Sequence, residues 1–541
     1  MPDKRSYFIL STIFISILLY IFLSGIGSYG LLAKDEPRYC SCALEMIENK
    51  DWIVPKFNFQ DRFDKPVLYY WMIAVSYVLF GVNEFSSRLP SALCAIFLVL
   101  FTWYTVKKVL GSRAGFISAI VLTTSIEYLL LGRRAATDIA LCLFFSGAMY
   151  SMYLGYFIKD WKVKIFWTIM SGIFAGFALL TKGPVGLVFQ LGILTLFLIF
   201  RKQFDLKHLK VYFLITAVAL AVALPWYLKV HFATGGEFTK VFFFTHNLER
   251  FTSVVGEHPG PFWFYFPVVI LGFMPWTIFF IPALINISKR VCRKRFNKFV
   301  LFCLIWLALV FLFFSVCKTK MATYALLLYP PMSIICAYWI SIIGKKNPDI
   351  IKVTCTVLIV VIAIALMVSN FIVLGVKMDS VYKNLLLPKI LFTFSCMVFG
   401  AVMISIYIKK YYQVLLAFVL VLVVPGVMLL NSGVFIYQKL TFGDLIDFAK
   451  TAKSNGAKEI ISFGGYKPIL VYYSRMPVDF DLKKSQLLKI RQKLLENKEV
   501  YIVGYLSDIS KNKSYIKKNQ DLFNRLQIIK SGKKYFLGKF V

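Results

Sequence analysis

Long apolar stretches recur along the chain, and each has the length, roughly 18 residues or more, that crosses a bilayer as a helix. Hydrophobic residues make up 59% of the 541 and charged residues only 16%, whereas a soluble domain of this size carries more charge. The pattern predicts an all-α polytopic membrane protein with about thirteen transmembrane helices. The predicted spans cover residues 7–32, 88–108, 114–131, 138–158, 163–181, 184–200, 211–230, 262–285, 298–317, 321–343, 351–375, 388–408 and 411–433.

The basic residues indicate how these spans are oriented. The net charge is +35, and Lys and Arg concentrate in alternate loops, most densely between Lys289 and Lys298. Because cytoplasmic loops are enriched in Lys and Arg, we expect the N-terminus in the cytoplasm and the C-terminus outside. The first span lacks a small-residue cleavage site and is long for a signal peptide, so we expect it to be retained. The cations never gather on one soluble face, which argues against nucleic-acid binding.

The composition changes after residue 440, where the chain becomes polar and rich in Lys. Helix-like and strand-like segments alternate there, which predicts a small extracytoplasmic α/β domain over 440–541, after a transmembrane domain over 1–435. We expect outer loops 33–88 and 231–261 to build the functional site. The predicted elements are helices at Phe442 to Lys453, Lys467 to Ser474 and Leu482 to Leu495, and strands at Glu459 to Phe463 and Glu499 to Tyr505.

Acidic residues begin the first outer loop, directly after the first span. Asp35 and Glu36 precede Pro37, which suits the first turn of a helix, with an acid as its cap. A capped helix in the membrane interface therefore explains one acid. It does not explain a second acid at the end of a membrane span. We expect Asp35 and Glu36 to be catalytic carboxylates, with Arg38 beside them to bind an anion.

Further cations lie in short outer loops, where the topology favours few of them. They are Arg134 (after Arg133), Lys182, Lys318 and Lys320, and Lys65 lies in the long first loop. Cations placed against the topological bias indicate an anionic ligand such as a phosphate or pyrophosphate. The alternative for any one of them is a lipid headgroup or a local carboxylate. The occurrence in several outer loops favours a phosphate site.

Asp64 and His258 provide the residue types of a divalent metal site, from two different outer loops. Imidazole nitrogen and carboxylate oxygen are ligands of zinc, and carboxylate oxygen also suits magnesium. No single segment has the spacing of a metal motif. The hypothesis requires the loop 256–261 to fold back onto the first outer loop, so that the two side chains nearly touch across the ion.

Several short motifs, taken in order, resemble the bacterial aminoarabinose transferases of lipid A and the related protein O-mannosyltransferases. The resemblance extends over roughly residues 1–335. The motifs are Asp35 to Arg38, Phe63 to Pro66 with Tyr69 to Trp71, Gly81 to Phe85 with Arg88 to Pro90, Arg134 to Asp138, Leu180 to Pro184, Pro225 to Tyr227, His258 to Pro261, and Ser315, Lys318, Lys320 and Tyr324.

This resemblance implies a GT-C glycosyltransferase that takes a sugar from a polyprenyl phosphate at the outer face of the inner membrane. It implies that Asp35 and Asp138 are needed for activity, that Arg38 and Lys65 face the carrier phosphate, and that Asp64 and His258 hold the metal. Arg134, Lys182, Lys318, Lys320 and Tyr324 would bind the substrates. Asp64 stands where the family usually has Glu, and Val67 replaces a common Pro.

The donor of such an enzyme is already activated, so no nucleotide is needed, and the chain has no phosphate-binding loop. Direct displacement with one catalytic acid favours inversion at the anomeric carbon. We expect lipid A as the acceptor; a protein hydroxyl or a surface glycan is the alternative. A lipid or sugar transporter is the alternative of another class. It is disfavoured because the charges lie at the outer ends of the spans and not near their middle.

Overall fold

The computed structural model describes residues 4–32, 34–158, 160–205, 208–249, 253, 259–293, 296–347, 349–351, 353–358, 411–463, 465–481, 483–496, 499–507 and 520–540. The chain divides into two compact units. The first unit comprises Met1–Ile26, Phe63–Tyr69 and Arg88–Asn431. The second unit comprises Gly27–Arg62, Tyr70–Ser87 and Ser432–Val541, so it combines most of the first outer loop with the C-terminal part of the chain.

Helices dominate the described residues, as the apolar pattern predicts. Six are long and apolar enough to cross a membrane, or up to eight if two bent pairs each count as one span. The predicted spans at 351–375 and 388–408 lie largely or wholly outside the described residues. The helices are α1 (Lys4–Leu23), α2 (Asp35–Glu48), α3 (Leu68–Phe80), α4 (Glu84–Leu110), α5 (Ser112–Thr123), α6 (Ile126–Gly132), α7 (Thr137–Phe157), α8 (Trp161–Lys182), α9 (Val185–Phe200), α10 (Leu209–Ala233), α11 (Glu237–Lys240), α12 (Tyr265–Gly272), α13 (Thr277–Cys292), α14 (Lys298–Val316), α15 (Tyr329–Lys346), α16 (Tyr411–Ser454), α17 (Ile469–Ser474), α18 (Lys483–Leu495) and α19 (Gln520–Phe523). A π-helical segment covers Val241–Glu249, and 3-10 turns cover Phe262–Phe264 and Ala322–Leu328.

Two spans predicted as continuous, 114–131 and 262–285, are each a bent pair of helices. The axes of α5 and α6 differ by 68°, and those of the Phe262–Gly272 segment and α13 by 119°. The first break follows from local hydrogen bonding. The hydroxyls of Thr124 and Ser125 donate to the carbonyl oxygens four residues earlier, at 2.8 and 2.7 Å. Such back-bonding competes with helix continuation.

The second break lies at Pro275, which has no backbone N–H to continue a helix. The two breaks contact each other. The indole N–H of Trp276 donates to the Thr124 hydroxyl at 2.7 Å, and the backbone N–H of Ile126 donates to the Met274 carbonyl at 3.2 Å. Polar groups exposed by one break are therefore bound by the other, as the interior of a membrane protein requires.

Helix α7 is the most buried of the candidate spans, with 94% of its apolar window inside the protein. Its neighbour α8 packs closely against α10 through glycines. A side-chain carbon at Gly172 or Gly176 would lie 2.7 or 2.6 Å from the Cβ of Val218 or Val222. Small residues that allow such close approach are typical of helix packing in membranes. Helices α7 and α8 also pack against each other, which brings together their ends, where the predicted polar residues Asp138 and Lys182 lie.

The second unit contains a five-stranded mixed sheet, which confirms the predicted small sheet region near the C-terminus. Strand order is β4-β3-β5-β7-β6, with β4, β3 and β5 parallel and β7 and β6 antiparallel. Buried apolar clusters cover both faces of the sheet, as expected for an α/β arrangement. The strands are β1 (Lys56–Phe57) and β2 (Gln60–Asp61), which form a separate hairpin, then β3 (Ile460–Ser462), β4 (Val478–Asp479), β5 (Val500–Tyr505), β6 (Leu526–Ser531) and β7 (Tyr535–Phe540).

The helix predicted at 442–453 is the last part of the 44-residue helix α16 and not a separate element. The predicted strands at 459–463 and 499–505 correspond to β3 and β5, each slightly shorter than predicted. The sequence reading did not find β4, β6 or β7. Strand β4 has only two residues, and β6 lies at the sheet edge with mostly exposed side chains, so neither has the apolar alternation that identifies a strand.

The hairpin β1–β2 is bound to the sheet by one asparagine at its turn. The Asn58 side chain donates to the Val478 carbonyl at 2.8 Å and accepts the Val478 N–H at 2.7 Å. The carboxylate of Glu45 in α2 accepts the backbone N–H groups of Asn58 and Phe59 at 2.8 and 2.9 Å. Both turn residues have positive φ, 57° and 62°. The first outer loop and the C-terminal sheet are thus one packed structure.

Candidate active site

Asp138 and Lys182 form an ion pair between two neighbouring helix ends in the first unit. Asp138 lies in the first turn of α7 and Lys182 is the last residue of α8. The ammonium lies 2.5 Å from the carboxylate, and the two side chains are only 13% and 12% exposed. An acid at a helix N-terminus and a cation at a helix C-terminus both suit the helix dipoles. Sequence analysis predicted both residues for the site but not their pairing.

A cavity of about 90 Å³ opens beside this ion pair. Lys65 and Tyr324 also line it, and the Lys182 ammonium lies 4.7 Å from the centre of the Tyr324 ring. We call this cavity the transfer pocket. Its remaining lining residues are Leu141, Val185, Phe242, Phe313, Phe314, Cys317, Thr319, Thr323, Leu326 and Leu327.

The transfer pocket combines a polar wall with a hydrophobic one. Two lysines and one aspartate among its lining residues leave an excess of one positive charge. A few placed polar groups in an otherwise apolar concavity are typical of ligand sites. This pocket has the chemistry to bind an anionic head group that carries a hydrocarbon chain. Sequence analysis did not identify Thr319 and Thr323, because isolated hydroxyl residues give no distinctive pattern.

The other predicted cations of the first unit have different surroundings. Lys318 is exposed. Lys320 is 4% exposed, and its ammonium donates to the carbonyl oxygens of Phe314 and Ser315 at 2.9 and 2.6 Å, at the end of α14. Such bonds satisfy carbonyls that a helix end leaves open. Neither lysine lines the transfer pocket.

The two arginines before α7 also differ in burial and in hydrogen-bond partners. Arg133 is 2% exposed and donates to backbone carbonyls, among them Ser24 at 2.5 Å, so it ties the end of α1 to α6. Arg134 is half-buried, and within the part of the chain that the structure describes its side chain has no hydrogen bond or ion pair. Arg134 is thus the arginine of this pair with a side chain available for a ligand.

Asp35 and Arg38 form an ion pair within the first turn of α2, in the second unit. Asp35 is 47% exposed and Arg38 is 26% exposed, so both can reach a ligand. The helix begins at Asp35, two residues before Pro37, so neither acid is its N-cap. Lys34 is the N-cap and its side chain makes no capping bond, so Asp35 is not a cap.

Glu36 faces the protein interior. It is 1% exposed, and its carboxylate accepts the backbone N–H of Leu32 at 2.6 Å. This bond connects the beginning of α2 to the preceding segment. Burial and a backbone partner are typical of a carboxylate that maintains a turn, whereas Asp35 next to it remains accessible.

Arg62 lies beside this ion pair and was not predicted. It is 8% exposed, and its guanidinium carbon lies 5.7 Å from the ring centre of Tyr39 and 5.6 Å from that of Phe57. Stacking on aromatic rings is a common environment for a buried guanidinium. We call Asp35, Arg38, Arg62 and the rings around them the first-loop site. Sequence analysis could have noted Arg62 two residues before Asp64, but an isolated arginine carries no motif.

Arg38 is held in its charged form. Burial and the neighbouring Arg62 act to lower the pKa of Arg38, but Asp35, Tyr466 and Tyr39 outweigh them, so that the net shift is upward. Two guanidinium groups and one accessible carboxylate give the first-loop site an excess of positive charge. A phosphate-bearing ligand suits this balance.

The metal hypothesis rests on one described residue. Asp64 is half-buried, and His258 lies outside the described residues. Where the structure describes the chain, no three His, Cys, Asp or Glu side chains are close enough to hold a metal ion. The described residues alone therefore do not form a metal centre, and no reaction step is assigned to a metal.

In fold, the chain is similar to ArnT from Cupriavidus metallidurans. It matches the crystal structure of ArnT from Cupriavidus metallidurans bound to undecaprenyl phosphate with a TM-score of 0.82. The match covers 100% of this chain and 99% of that one, at 18% sequence identity. The apo structure of the same protein matches with a TM-score of 0.79. These likenesses show the fold.

Sequence comparison confirms the resemblance predicted above. Residues 64–228 match the dolichyl-phosphate-mannose-protein mannosyltransferase family. The undecaprenyl phosphate-alpha-4-amino-4-deoxy-L-arabinose arabinosyl transferase of Shewanella sediminis is 30% identical over 319 residues, which are 59% of this chain and 57% of that protein. The same-named transferase of Pectobacterium carotovorum is 28% identical over 333 residues, 61% of this chain and 59% of that one. The chain thus spans less than two thirds of the length of these relatives.

Proposed function

We propose that this protein is an inverting GT-C glycosyltransferase. It moves a sugar from a polyprenyl-phosphate donor to a lipid A-type acceptor, through a phosphate or hydroxyl of that acceptor, at the outer face of a bacterial inner membrane. The observation that carries the proposal is the transfer pocket, in which Lys65, Lys182 and Asp138 meet an apolar wall. The names of the relatives, which specify an undecaprenyl phosphate sugar, support the donor class.

The cations of the transfer pocket stabilise the leaving group in this proposal. The bond between the anomeric carbon and the lipid phosphate breaks, and its electron pair stays on the phosphate oxygen. Lys65 and Lys182, with Arg134 as a further cation, offset the charge that develops there. Asp138 fixes the position of the Lys182 ammonium through their 2.5 Å ion pair. The ring of Tyr324 makes a cation–π contact with that ammonium.

Asp35 acts on the acceptor in this proposal. With a hydroxyl acceptor, the acceptor oxygen forms the bond to the anomeric carbon and Asp35 takes its proton. With a phosphate acceptor, no proton needs removal, and Asp35 orients the acceptor or stabilises the charge that develops on the sugar, while Arg38 faces the carrier phosphate. A single displacement inverts the anomeric configuration. Glu36 maintains the beginning of α2, and Lys320 maintains the end of α14.

We further propose about thirteen spans, a cytoplasmic N-terminus, and a periplasmic α/β domain over 440–541 after a transmembrane domain over 1–435. The six to eight apolar helices and the C-terminal sheet support this arrangement. A divalent metal, zinc or magnesium, bound by Asp64 and His258 remains a separate proposal. Its test is the metal content of the purified protein.

The function is tested with purified protein in detergent, undecaprenyl-phosphate aminoarabinose as donor and lipid A as acceptor. We expect lipid A to gain the mass of one sugar while undecaprenyl phosphate is released. Mass spectrometry of lipid A and of envelope glycans, from cells with and without the gene, identifies the natural acceptor. A protein that transfers no sugar from this donor class to lipid A, protein or glycan would contradict the proposal.

A further inference from the structure

One wall of the transfer pocket is the 3-10 turn over Ala322–Leu328, which we call the pocket turn. Its ring of Tyr324 makes the contact with the Lys182 ammonium. Hydrogen-bond geometry is poorer in a 3-10 turn than in an α-helix, so the position of the turn depends on the side chains that bind it. The residues of the turn that line the pocket are Thr323, Tyr324, Leu326 and Leu327.

Side chains of α12 and α14 bind the backbone of the pocket turn. At its beginning, the hydroxyl of Tyr265 donates to the Met321 carbonyl at 3.1 Å and accepts the Met321 N–H at 3.3 Å. Near its end, the indole N–H of Trp306 donates to the Leu327 carbonyl at 3.1 Å. Both contacts lie within the first unit.

A carboxylate in an apolar helix binds the residue that follows the pocket turn. Tyr329 begins α15, and its hydroxyl donates to the carboxylate of Glu127 in α6. The Tyr329 side chain is fully buried, and the ring of Phe273 stacks on it with 5.8 Å between ring centres and 15° between planes. In the part of the chain that the structure describes, this hydroxyl is the only hydrogen-bond donor to the Glu127 side chain, and no cation pairs with it.

Gly272, the last residue of α12, lies against the same pair. A side-chain carbon at Gly272 would lie 2.6 Å from the Glu127 carboxylate, so glycine allows the backbone of α12 to approach this closely. Glu127 thus lies against α12 and is bonded to α15. Because α12 also carries Tyr265, the contacts form a closed ring, from α6 to α15, along the pocket turn to α12, and back to α6.

Packing alone does not explain an acid at this position. An ionisable side chain within an apolar helix is costly, and such residues generally have a function. A hydrogen bond to a carboxylate is stronger than one between neutral groups, so it fixes its donor more firmly. Glu127 does not line the transfer pocket. Its route to the pocket is therefore the Tyr329 hydroxyl and the turn that precedes it.

We propose that Glu127 is a positioning residue for sugar transfer. Through Tyr329 it fixes the end of the pocket turn, and the turn keeps the Tyr324 ring at the Lys182 ammonium. This inference rests on the proposed function, in which Lys182 stabilises the leaving phosphate. Without the bond to Glu127 the turn can shift, and the pocket loses part of its preorganisation.

The test measures sugar transfer with undecaprenyl-phosphate aminoarabinose and lipid A, at a temperature where melting curves show every variant to be folded. Tyr329→Phe removes the donor of the bond, and Glu127→Leu removes its acceptor. We expect kcat to fall about tenfold in each, less than the roughly 100-fold that a misplacement of about 1 Å can cost. KM for lipid A should stay within about twofold of wild type. The double variant should be no worse than Tyr329→Phe alone, because both changes remove the same bond.

The conservative variant Glu127→Gln distinguishes positioning from a direct action of the charge. It keeps a hydrogen-bond acceptor of nearly the same size, although a weaker one, so kcat should stay within about threefold of wild type. A loss of kcat in Glu127→Gln as large as that in Glu127→Leu would show that the negative charge itself is required. That result would overturn the positioning role.

Tyr128→Phe is the matched control for Tyr329→Phe. Tyr128 is the next residue of α6 after Glu127, it is fully buried, and its hydroxyl donates to the Ala95 carbonyl in α4 at 2.8 Å, a bond that does not involve the pocket turn. Both variants lose one buried tyrosine hydrogen bond, but only Tyr329→Phe should lose kcat. Equal kcat in the two would overturn the inference and leave the proposed function intact. A wild-type protein without transferase activity would overturn the proposed function and this inference with it.

Discussion

The ammonium of Lys182 lies 2.5 Å from the carboxylate of Asp138 and 4.7 Å from the centre of the Tyr324 ring. The carboxylate holds the cation at one edge of the transfer pocket, while the ring provides a surface that does not neutralise it. The ion pair and the ring contact position the Lys182 ammonium before any ligand arrives. Electrostatic catalysis depends on such preorganisation.

Replacing this cation tests the arrangement directly. In Lys182→Met the side chain keeps nearly the same length but loses its charge, and Asp138 loses its ion-pair partner. We expect kcat/KM for sugar transfer to fall on the order of 100-fold, as when one preorganised donor is removed from an active site. Lys318→Met is the control, since Lys318 is exposed and does not line the pocket. Equal activity of the two variants would contradict the role of Lys182.

Asp35→Asn removes the negative charge of the first-loop site and preserves its volume. If Asp35 is the general base, kcat should fall at least about 100-fold, the usual contribution of general base catalysis. The melting temperature should hardly change, because an accessible ion pair contributes little to stability. Transfer within a few-fold of wild type in the purified assay would remove Asp35 from the mechanism.

Lys320 should matter for stability. Lys320→Met leaves the carbonyl groups of Phe314 and Ser315 without their buried donor, and we expect unfolding to become easier by about 1–3 kcal/mol for an unsatisfied buried group. Lys318→Met, two residues away and exposed, should change stability by less than about 0.5 kcal/mol. Thermal unfolding in detergent distinguishes the two. A Lys320 variant that is as stable as wild type would indicate that the ammonium is available for substrate after all.

Because of Glu45, the stability of the folded protein should depend on pH. Burial raises the pKa of Glu45 above the ordinary value of 4.5, although the N–H groups of Phe59 and Asn58 oppose the shift. The folded protein therefore binds this proton more tightly than the unfolded chain does. Its contribution to stability is complete below about pH 4.5 and is lost as the pH rises through the raised pKa.

The test compares wild type with Glu45→Gln, which cannot ionise. From pH 4.5 upward, the melting temperature of wild type should fall relative to that of the variant. A difference between the two proteins that stays constant over this range would show that Glu45 does not titrate in it.

Metal content tests the remaining proposal independently of activity. If Asp64 and His258 hold a divalent ion, the purified protein should contain close to one equivalent, and Asp64→Ala and His258→Ala should each lose it. Elemental analysis after dialysis measures this. His231→Ala is the control, because His231 instead contacts the Thr239 hydroxyl at 2.8 Å. Equal metal content in all four proteins would dismiss the site.

The sequence predicted the helical membrane class and most polar residues of the transfer pocket, for a physical reason. Bilayer thickness dictates apolar runs that are visible in a single sequence, and cations that oppose the topological bias stand out against them. Asp138, Lys65 and Lys182 were found in this way or through the family motifs. Their common pocket was not predicted, because it depends on helix packing between α7, α8 and the turn before α15.

Sequence analysis did not identify functional residues that lack a local sequence pattern. Arg62 belongs to the first-loop site, and the first loop is held against the C-terminal sheet by contacts such as that of Asn58 with Val478. Glu127 was missed as well: it is a carboxylate inside an apolar helix, bound by the Tyr329 hydroxyl. Conversely, Glu36 and Lys320 have the residue types expected of site residues, but their side chains form hydrogen bonds with backbone groups. Residue type alone does not reveal which way a side chain faces.

The contact between the two helix breaks has a consequence for engineering this protein. Two hydrogen bonds join the breaks: Trp276 donates to Thr124, and the backbone N–H of Ile126 donates to the Met274 carbonyl. Neither bent pair can be straightened, or exchanged for the equivalent segment of a relative, without leaving polar atoms of the other exposed to hydrocarbon. A chimera that takes residues 112–132 from a relative should therefore fold only if it takes residues 265–277 as well. The two segments form one inherited module, although more than a hundred residues separate them.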